Sequence, residues 1–104
     1  MIENKQTQIM YLGVGTAIPG EKNMEYAVAK RHALLVFVLA PSLEKAKMLA
    51  QQHFESAHWD SVLIDRINAV DIEALNQAQP EIINAYELAV RDCSHGMVLN
   101  RTSE

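Results

Sequence analysis

The sequence predicts an α+β fold: a single-domain, two-layer sandwich in which a four-stranded mixed sheet carries two main helices on one face. Apolar residues alternate at the start of the chain, a segment of amphipathic helical spacing follows, and strand and helix patterns then take turns to the C-terminus. With 104 residues, 49 % of them hydrophobic and 21 % charged, the chain has the size and composition of one globular domain. This domain spans residues 1–104, and its polar ends at about 1–8 and 101–104 are expected to fray.

The chain is predicted to begin with a long β-hairpin. Residues 9–18 alternate between bulky and smaller side chains, and Pro19-Gly20 is a turn signal that ends this first strand. Alternation resumes at Met24 and runs into residues 33–39, which are apolar on both faces and therefore suit a central strand. Residues 21–31 also contain many helix-forming residues, so a short amphipathic helix stays open as the alternative for this segment.

Two glycines, Gly13 and Gly15, lie within the first strand. They lack the third glycine and the following helix that a dinucleotide-binding loop requires. We expect them instead to let a helix or a partner approach the sheet closely.

The most regular helical pattern follows Ser42, whose hydroxyl suits an N-cap, and Glu44 suits the positive end of the helix dipole. The inner face of this first helix is predicted to contain Leu43, Ala46, Leu49, Ala50, Phe54 and Ala57. A third strand is predicted for residues 61–67 from their β-branched content.

Pro80 interrupts a second helical region. Asp71 suits the N-cap of a short helix over residues 72–78 with Ile72 and Leu75 facing inward, and Pro80 suits the first turn of the next helix. The two segments are alternatively one kinked helix. The inner face of the later helix is predicted to contain Ile82, Ile83, Tyr86, Ala89, Val90 and Cys93. Residues 97–99 then form a final short strand.

The resulting order is β-β-α-β-α-β, which is like that of ferredoxin-like and dimeric α+β sandwich folds, an analogy of fold alone. Right-handed crossovers would make the second and third strands parallel. Because both main helices are expected on one face, the other face would stay uncovered and apolar. We expect a second copy of the chain to bury it, which predicts a homodimer.

The segment DCSHGM, residues 92–97, contains the only cysteine. Cys93 continues the apolar stripe of the later helix, so we expect it to be buried as a small hydrophobic residue. Gly96 is expected to end this helix in the left-handed conformation, with His95 beside it. A helix C-terminus disfavours a thiolate, and no metal-binding spacing of cysteine or histidine is present, so neither a catalytic cysteine nor a metal or other cofactor is expected.

Candidate ligand-binding residues cluster around the second and third strands. His58-Trp59-Asp60 stands at a helix-to-strand corner, where Asp60 would fix the tautomer of His58. One face of the second strand and Arg66 of the third are expected to line a polar cleft beneath the sheet or between subunits. The candidates are Tyr26, Lys30, His32, His58, Trp59 and Arg66, and no catalytic residue is assigned.

A formal net charge of −4 argues against non-specific nucleic-acid binding, since Lys30, Arg31 and His32 form the only basic cluster. The N-terminus lacks the pattern of a secretion signal, and the longest apolar run is far shorter than a membrane-spanning helix. We therefore expect a cytoplasmic protein without membrane or nucleic-acid partners.

The sequence contains no nucleophile-base pair, metal spacing or phosphate loop that would indicate an enzyme. The leading hypothesis is therefore a non-catalytic, homodimeric binding module that engages a small molecule or a protein partner through its sheet face or dimer cleft. One alternative is a small acid-base enzyme, an isomerase or hydrolase, that uses His32 or His58 with Asp60 or Tyr26. Another is an inhibitory protein of the immunity or antitoxin type, for which small size and acidity are the support.

Overall fold

The computed structural model describes residues 8–23 and 30–99. Its strands and helices are β1 (Ile9–Pro19), β2 (His32–Ala40), α1 (Leu43–Ser56), β3 (Trp59–Ala69), α2 (Ile72–Asn76), α3 (Pro80–Asp92) and β4 (Ser94–Leu99). β3 and β4 are longer than predicted, and α2 is shorter. The choice between strand and helix for residues 21–31 falls mainly on residues 24–29, which lie outside the described part of the chain.

The fold is α+β, as predicted, and the strands form an open four-stranded sheet in the order β3-β1-β2-β4. Each neighbouring pair of strands is antiparallel, so the prediction of a mixed sheet is wrong. β2 and β3 do run in the same direction, but β1 lies between them. β3 cannot lie beside β2, because β1 and β4 already occupy both edges of β2.

Helices cover both faces of this sheet, which makes three layers. α1 packs on one face, in a cluster of buried residues that includes Leu34, Val36 and Phe54. α2 and α3 pack on the other face, against Leu35 and Phe37. The prediction of both main helices on one face is therefore wrong, and the ferredoxin-like analogy does not hold. The physical reason lies in β2, whose successive residues are apolar in both directions, so that each face needs its own cover.

The sequence signals at the helix starts are confirmed. The Ser42 Oγ accepts a hydrogen bond from the Lys45 N–H at 3.2 Å, and the Asp71 Oδ1 accepts one from the Glu73 N–H at 3.0 Å. Both residues therefore satisfy an amide that the first helical turn leaves unpaired. Pro80 is the first residue of α3, where its missing N–H costs no helical hydrogen bond.

The inner faces of the helices are narrower than predicted. Leu43, Ile72 and Val90 are 49 %, 52 % and 52 % exposed. Cys93 is exposed rather than buried, because α3 ends at the preceding residue and Cys93 forms its C-cap in the left-handed conformation, with φ of 76°. Gly96, predicted to end the helix, lies within β4. The apolar spacing therefore predicts a helix that is longer than α3, because the chain enters β4 almost directly after Asp92.

A bulge in β3 changes the face towards which its later side chains point. Gly15 pairs with Ile64, but its neighbour Val14 pairs with Arg66, so Asp65 is an extra residue in the register. Because side chains alternate along a regular strand, the extra residue turns Arg66 and the positions after it to the opposite face. Gly15 makes room for the bulge: a Cβ at this position would lie 1.9 Å from a backbone carbonyl oxygen of β3. The glycines were expected to let a helix or a partner come close to the sheet. At Gly15 it is instead β3, a strand of the same sheet, that comes close.

Candidate functional site

An apolar groove lies on the face of the sheet that α2 and α3 partly cover. Its cavity volume of about 390 Å³ falls within the range of roughly 300–1,000 Å³ that is usual for small-molecule sites. The apolar lining consists of Leu12, Val14, Leu35, Phe37, Ala69, Val70, Ala74, Leu75, Ala78 and Ile82. Arg66, Asn68 and Asp71 are its polar members.

The groove arises because a regular apolar sheet face meets a short helix with small side chains. β1 and β2 pair Leu12 with Phe37 and Val14 with Leu35, and residues directly opposite each other in a sheet share a face. α2 has only five residues, and its Ala74 presents no more than a methyl group. Leu12 and Val14 consequently stay partly exposed, while Leu35 and Phe37 beside them are buried. The result is an apolar floor that a helix borders but does not fill.

The polar side chains come from β3 and from the connection between β3 and α2. Arg66 and Asn68 pair with Val14 and Leu12, so both lie on the groove face. Within residues 8–23 and 30–99, Arg66 makes no ion pair. Asp71 already accepts a backbone hydrogen bond in the first turn of α2 at 3.0 Å. Among the residues that line the groove, Arg66 is the cationic one. Since it makes no ion pair with the described residues, its guanidinium is available to a ligand.

The structure separates the predicted ligand-binding residues instead of bringing them into one cleft. Arg66 lines the groove, whereas His32 lies on the opposite face, where its ring packs edge-on against Trp59 with ring centroids 5.7 Å apart. Trp59 is only 5 % exposed and belongs to the buried cluster under α1. Lys30 is exposed before β2, and Tyr26 lies outside the described residues. The register of β3 explains the separation, because Arg66 pairs with Val14 on the groove face, whereas His32 pairs with Ala17 on the face under α1. Since β3 is an edge strand, Arg66 also borders a cavity beside α1.

The helix-to-strand corner at His58 does not form the predicted pair with Asp60. His58 and Asp60 are both exposed, and neither side chain makes a hydrogen bond or an ion pair with the residues that the structure describes. His58 has φ of 70°, and its backbone carbonyl accepts a hydrogen bond from the Gly20 N–H at 2.8 Å. The corner is therefore held by its backbone and by the packing of Trp59.

A contact between α1 and β4 was not found from the sequence. His53 Nδ1 lies 3.3 Å from Ser94 Oγ, and the imidazole packs edge-on against Phe54 with ring centroids 5.2 Å apart. Burial lowers the pKa of His53 from its usual value of 6.5, and the nearby charge of His95 lowers this pKa further. The neutral imidazole that results can accept a hydrogen bond from the Ser94 hydroxyl. No local signal could reveal this pair, because its members are 41 residues apart.

A second cavity, of about 470 Å³, borders the contact between His53 and Ser94. A serine hydroxyl held by a neutral imidazole is the first part of a nucleophile-base pair. In residues 8–23 and 30–99, however, no acidic side chain forms a hydrogen bond with His53 to fix the ring, as the complete arrangement would require. The contact joins α1 to β4, and the described residues do not supply the acidic third member of a catalytic triad.

The described residues also bear on metal binding and on membrane insertion. No three side chains of histidine, cysteine, aspartate or glutamate come together there in a way that could hold a metal ion. None of the helices in this part of the chain has both the length and the apolar content needed to cross a bilayer.

Comparison with protein families, with curated proteins and with solved structures gave no significant match. The groove and its polar side chains are thus the features from which a function can be argued.

Proposed function

We propose that this protein is a non-catalytic binding module that takes a small, largely apolar molecule into the groove bordered by β1, β3, α2 and α3. The supporting observation is an open cavity of about 390 Å³ whose floor is formed by apolar side chains of the central strands. A concave apolar surface with a few polar groups at its border is the usual form of a small-molecule site. The groove fits this description better than the separated histidines fit an acid-base site.

The apolar floor provides enough driving force for moderate affinity. Each methylene group that leaves water contributes about 0.8 kcal/mol, so a ligand that buries six of them gains about 5 kcal/mol before the costs of association are subtracted. Polar contacts at the border add to this gain. We therefore expect dissociation constants between roughly micromolar and millimolar values.

The test is binding of the amphipathic dye 1-anilinonaphthalene-8-sulfonate, whose fluorescence increases in apolar surroundings. Ala74→Phe places an aromatic ring into the groove from the exposed side of α2, and we expect it to weaken dye binding by about tenfold or more. Ala57→Phe adds the same ring beside the second cavity and should leave binding unchanged. Thermal unfolding of both variants verifies that each is folded. Equal dye affinity in Ala74→Phe and the unchanged protein would overturn the proposal.

We also propose that the protein is a homodimer and that it is located in the cytoplasm. Helices cover both faces of the sheet, so an uncovered sheet face does not support the dimer. Its support is the exposed apolar side chains, which include Leu43, Leu63 and Ile72. Light scattering over a wide concentration range tests it. A constant monomer mass would contradict the homodimer.

The acid-base enzyme has weaker support than the binding module. His32 is packed against Trp59, and the His58 side chain makes no hydrogen bond within the described part of the chain. Turnover of any substrate that disappears in His32→Ala or His58→Ala would favour the enzyme. For the immunity or antitoxin alternative, the corresponding result is a pull-down that returns a single basic partner.

A further inference from the structure

We infer that the ligand of the groove is an amphipathic monocarboxylate, whose carboxylate is held by Arg66 and Asn68 and whose apolar part lies on β1 and β2. This inference rests on the proposed function, because it requires the groove to bind a small molecule. It adds the chemical class of that molecule and the residues that select it.

The bulge in β3 places Arg66 and Asn68 at the groove. Ile64 and Ile67 pack into the cluster under α1, and a regular strand could not direct both of them there, because an odd spacing reverses the face. The extra residue Asp65 permits it, and as a consequence Arg66 and Asn68 lie on the groove face. Bulges are common beside functional sites, where they redirect a side chain in this way.

Arg66 and Asn68 form a pair of hydrogen-bond donors at the border of the groove. They are two positions apart on the same face, a distance of roughly 7 Å along the strand, so a group between them can reach both side chains. The guanidinium presents a planar fork that matches a carboxylate, and the Asn68 amide can donate a further hydrogen bond. An anion with two oxygens fits this arrangement.

The charge of the site favours a singly charged anion. Among the residues that line the groove, Arg66 is balanced against the carboxylate of Asp71, and the whole chain carries a formal net charge of −4. A phosphate ester carries about 1.5 to 2 negative charges at neutral pH, so one arginine would leave part of its charge uncompensated beside Asp71. A carboxylate carries a single charge and therefore leaves less uncompensated negative charge beside Asp71 than a phosphate ester does.

The size of the groove limits the apolar part of the ligand. A volume of about 390 Å³ lies near the lower end of the usual range of roughly 300–1,000 Å³ for small-molecule sites. Leu12, Val14, Leu35 and Phe37 form a continuous floor from two neighbouring strands. A medium-length alkyl chain or a small aromatic ring system fits this space.

Isothermal titration calorimetry with octanoate, 1-octanol and octyl phosphate tests the inference, since each probe has eight carbon atoms and the three differ in the head group. We expect octanoate to bind more tightly than the other two, by about tenfold or more over 1-octanol. Arg66→Gln should remove this preference and leave the affinity for 1-octanol unchanged. Arg91→Gln is the matched control, because Arg91 is also exposed but pairs with Asp92 at the end of α3, and it should behave like the unchanged protein.

The outcomes separate this inference from the proposed function. Absence of binding of all three probes to the unchanged protein would overturn both. Equal affinity for octanoate and 1-octanol, or tighter binding of octyl phosphate, would overturn the monocarboxylate and leave the groove as an apolar site. Should Arg66→Gln prove unstable in thermal unfolding, Asn68→Ala provides the second test, with a smaller expected loss of octanoate affinity and none for 1-octanol.

Discussion

Replacing Gly15 by alanine is the sharpest test of how β1 and β3 fit together. A Cβ at this position would lie 1.9 Å from the Leu63 carbonyl oxygen and 2.9 Å from the Ile64 Cα, both of which belong to the backbone of β3. A backbone cannot rotate aside as a flexible side chain can. β3 would therefore have to move by more than about 1 Å to reach an ordinary non-bonded separation.

The expected loss of stability follows from this displacement. Hydrogen bonds with donor-acceptor distances near 2.9 Å weaken steeply when the strands separate by about 1 Å, and each contributes about 1 kcal/mol net. Losing two of them, with a further 1–3 kcal/mol of strain as for an overpacked core, gives a destabilisation of about 3–5 kcal/mol. The lower conformational entropy of unfolded alanine returns only about 0.4–1 kcal/mol. Since domains of this size have a total stability of roughly 5–15 kcal/mol, Gly15→Ala should remove a large part of it.

Gly13→Ala is the matched control on the same strand. Its Cβ would lie 3.4 Å from methyl groups of Ile67 and Val36, which is an ordinary contact, so we expect a change within about 1 kcal/mol in either direction. Urea unfolding followed by the fluorescence of Trp59, the only tryptophan and a buried one, measures both free energies. If Gly15→Ala differs from Gly13→Ala by less than about 1 kcal/mol, the argument from the close approach of β3 is refuted.

The remaining predictions concern His53 and Cys93. Because burial lowers the pKa of folded His53, the unfolded chain binds the proton more readily, so the contribution of this group is complete above pH 6.5 and decreases as pH falls below that value. His53→Gln should therefore lose less stability than the unchanged protein between pH 7 and 5 in urea unfolding, and an equal loss in the two proteins would contradict the effect of burial on His53. Cys93→Gly should raise the free energy of unfolding by about 0.5–1 kcal/mol, because glycine adopts φ of 76° without strain. Cys93→Val should lower the free energy of unfolding, because a branched side chain is strained in the left-handed conformation. The opposite order of stability in thermal unfolding would contradict the left-handed C-cap.

Features that depend on neighbouring residues were predictable from the sequence. The strand patterns of β1 and β2, the N-caps Ser42 and Asp71, and the start of α3 at Pro80 can each be recognised within one segment of the chain. The predicted turn at Pro19-Gly20 does not lead straight into the second strand, because Ala17 pairs with His32 and residues 30 and 31 lie before β2. Each signal acts locally, so the rest of the chain does not alter it.

Features that depend on the three-dimensional arrangement were not predictable in the same way. Nothing local determines the face on which a crossover helix packs, so α2 and α3 were expected beside α1. Helical spacing was extended to Cys93 because Gly96, the first glycine after Pro80, was predicted to end the helix, whereas α3 ends at Asp92. Arg66 was predicted to share a cleft with His32, but the two residues lie on opposite faces of the sheet, since a single extra residue in β3 reverses the face of every position after it.

The bulge connects the stability of the sheet with the proposed function. Gly15 allows the backbone of β3 to come close, the close approach accommodates Asp65 as an extra residue, and the extra residue directs Arg66 and Asn68 towards the groove. Without the bulge, the alternation that starts at Ile64 would turn Arg66 towards α1, where its guanidinium would displace apolar side chains. The same alternation would turn Ile67 into the groove. The same glycine therefore supports the apolar cluster on one face and the polar border of the groove on the other. This explains why β1, a strand that must pair closely on both sides, has a residue without a side chain at this position.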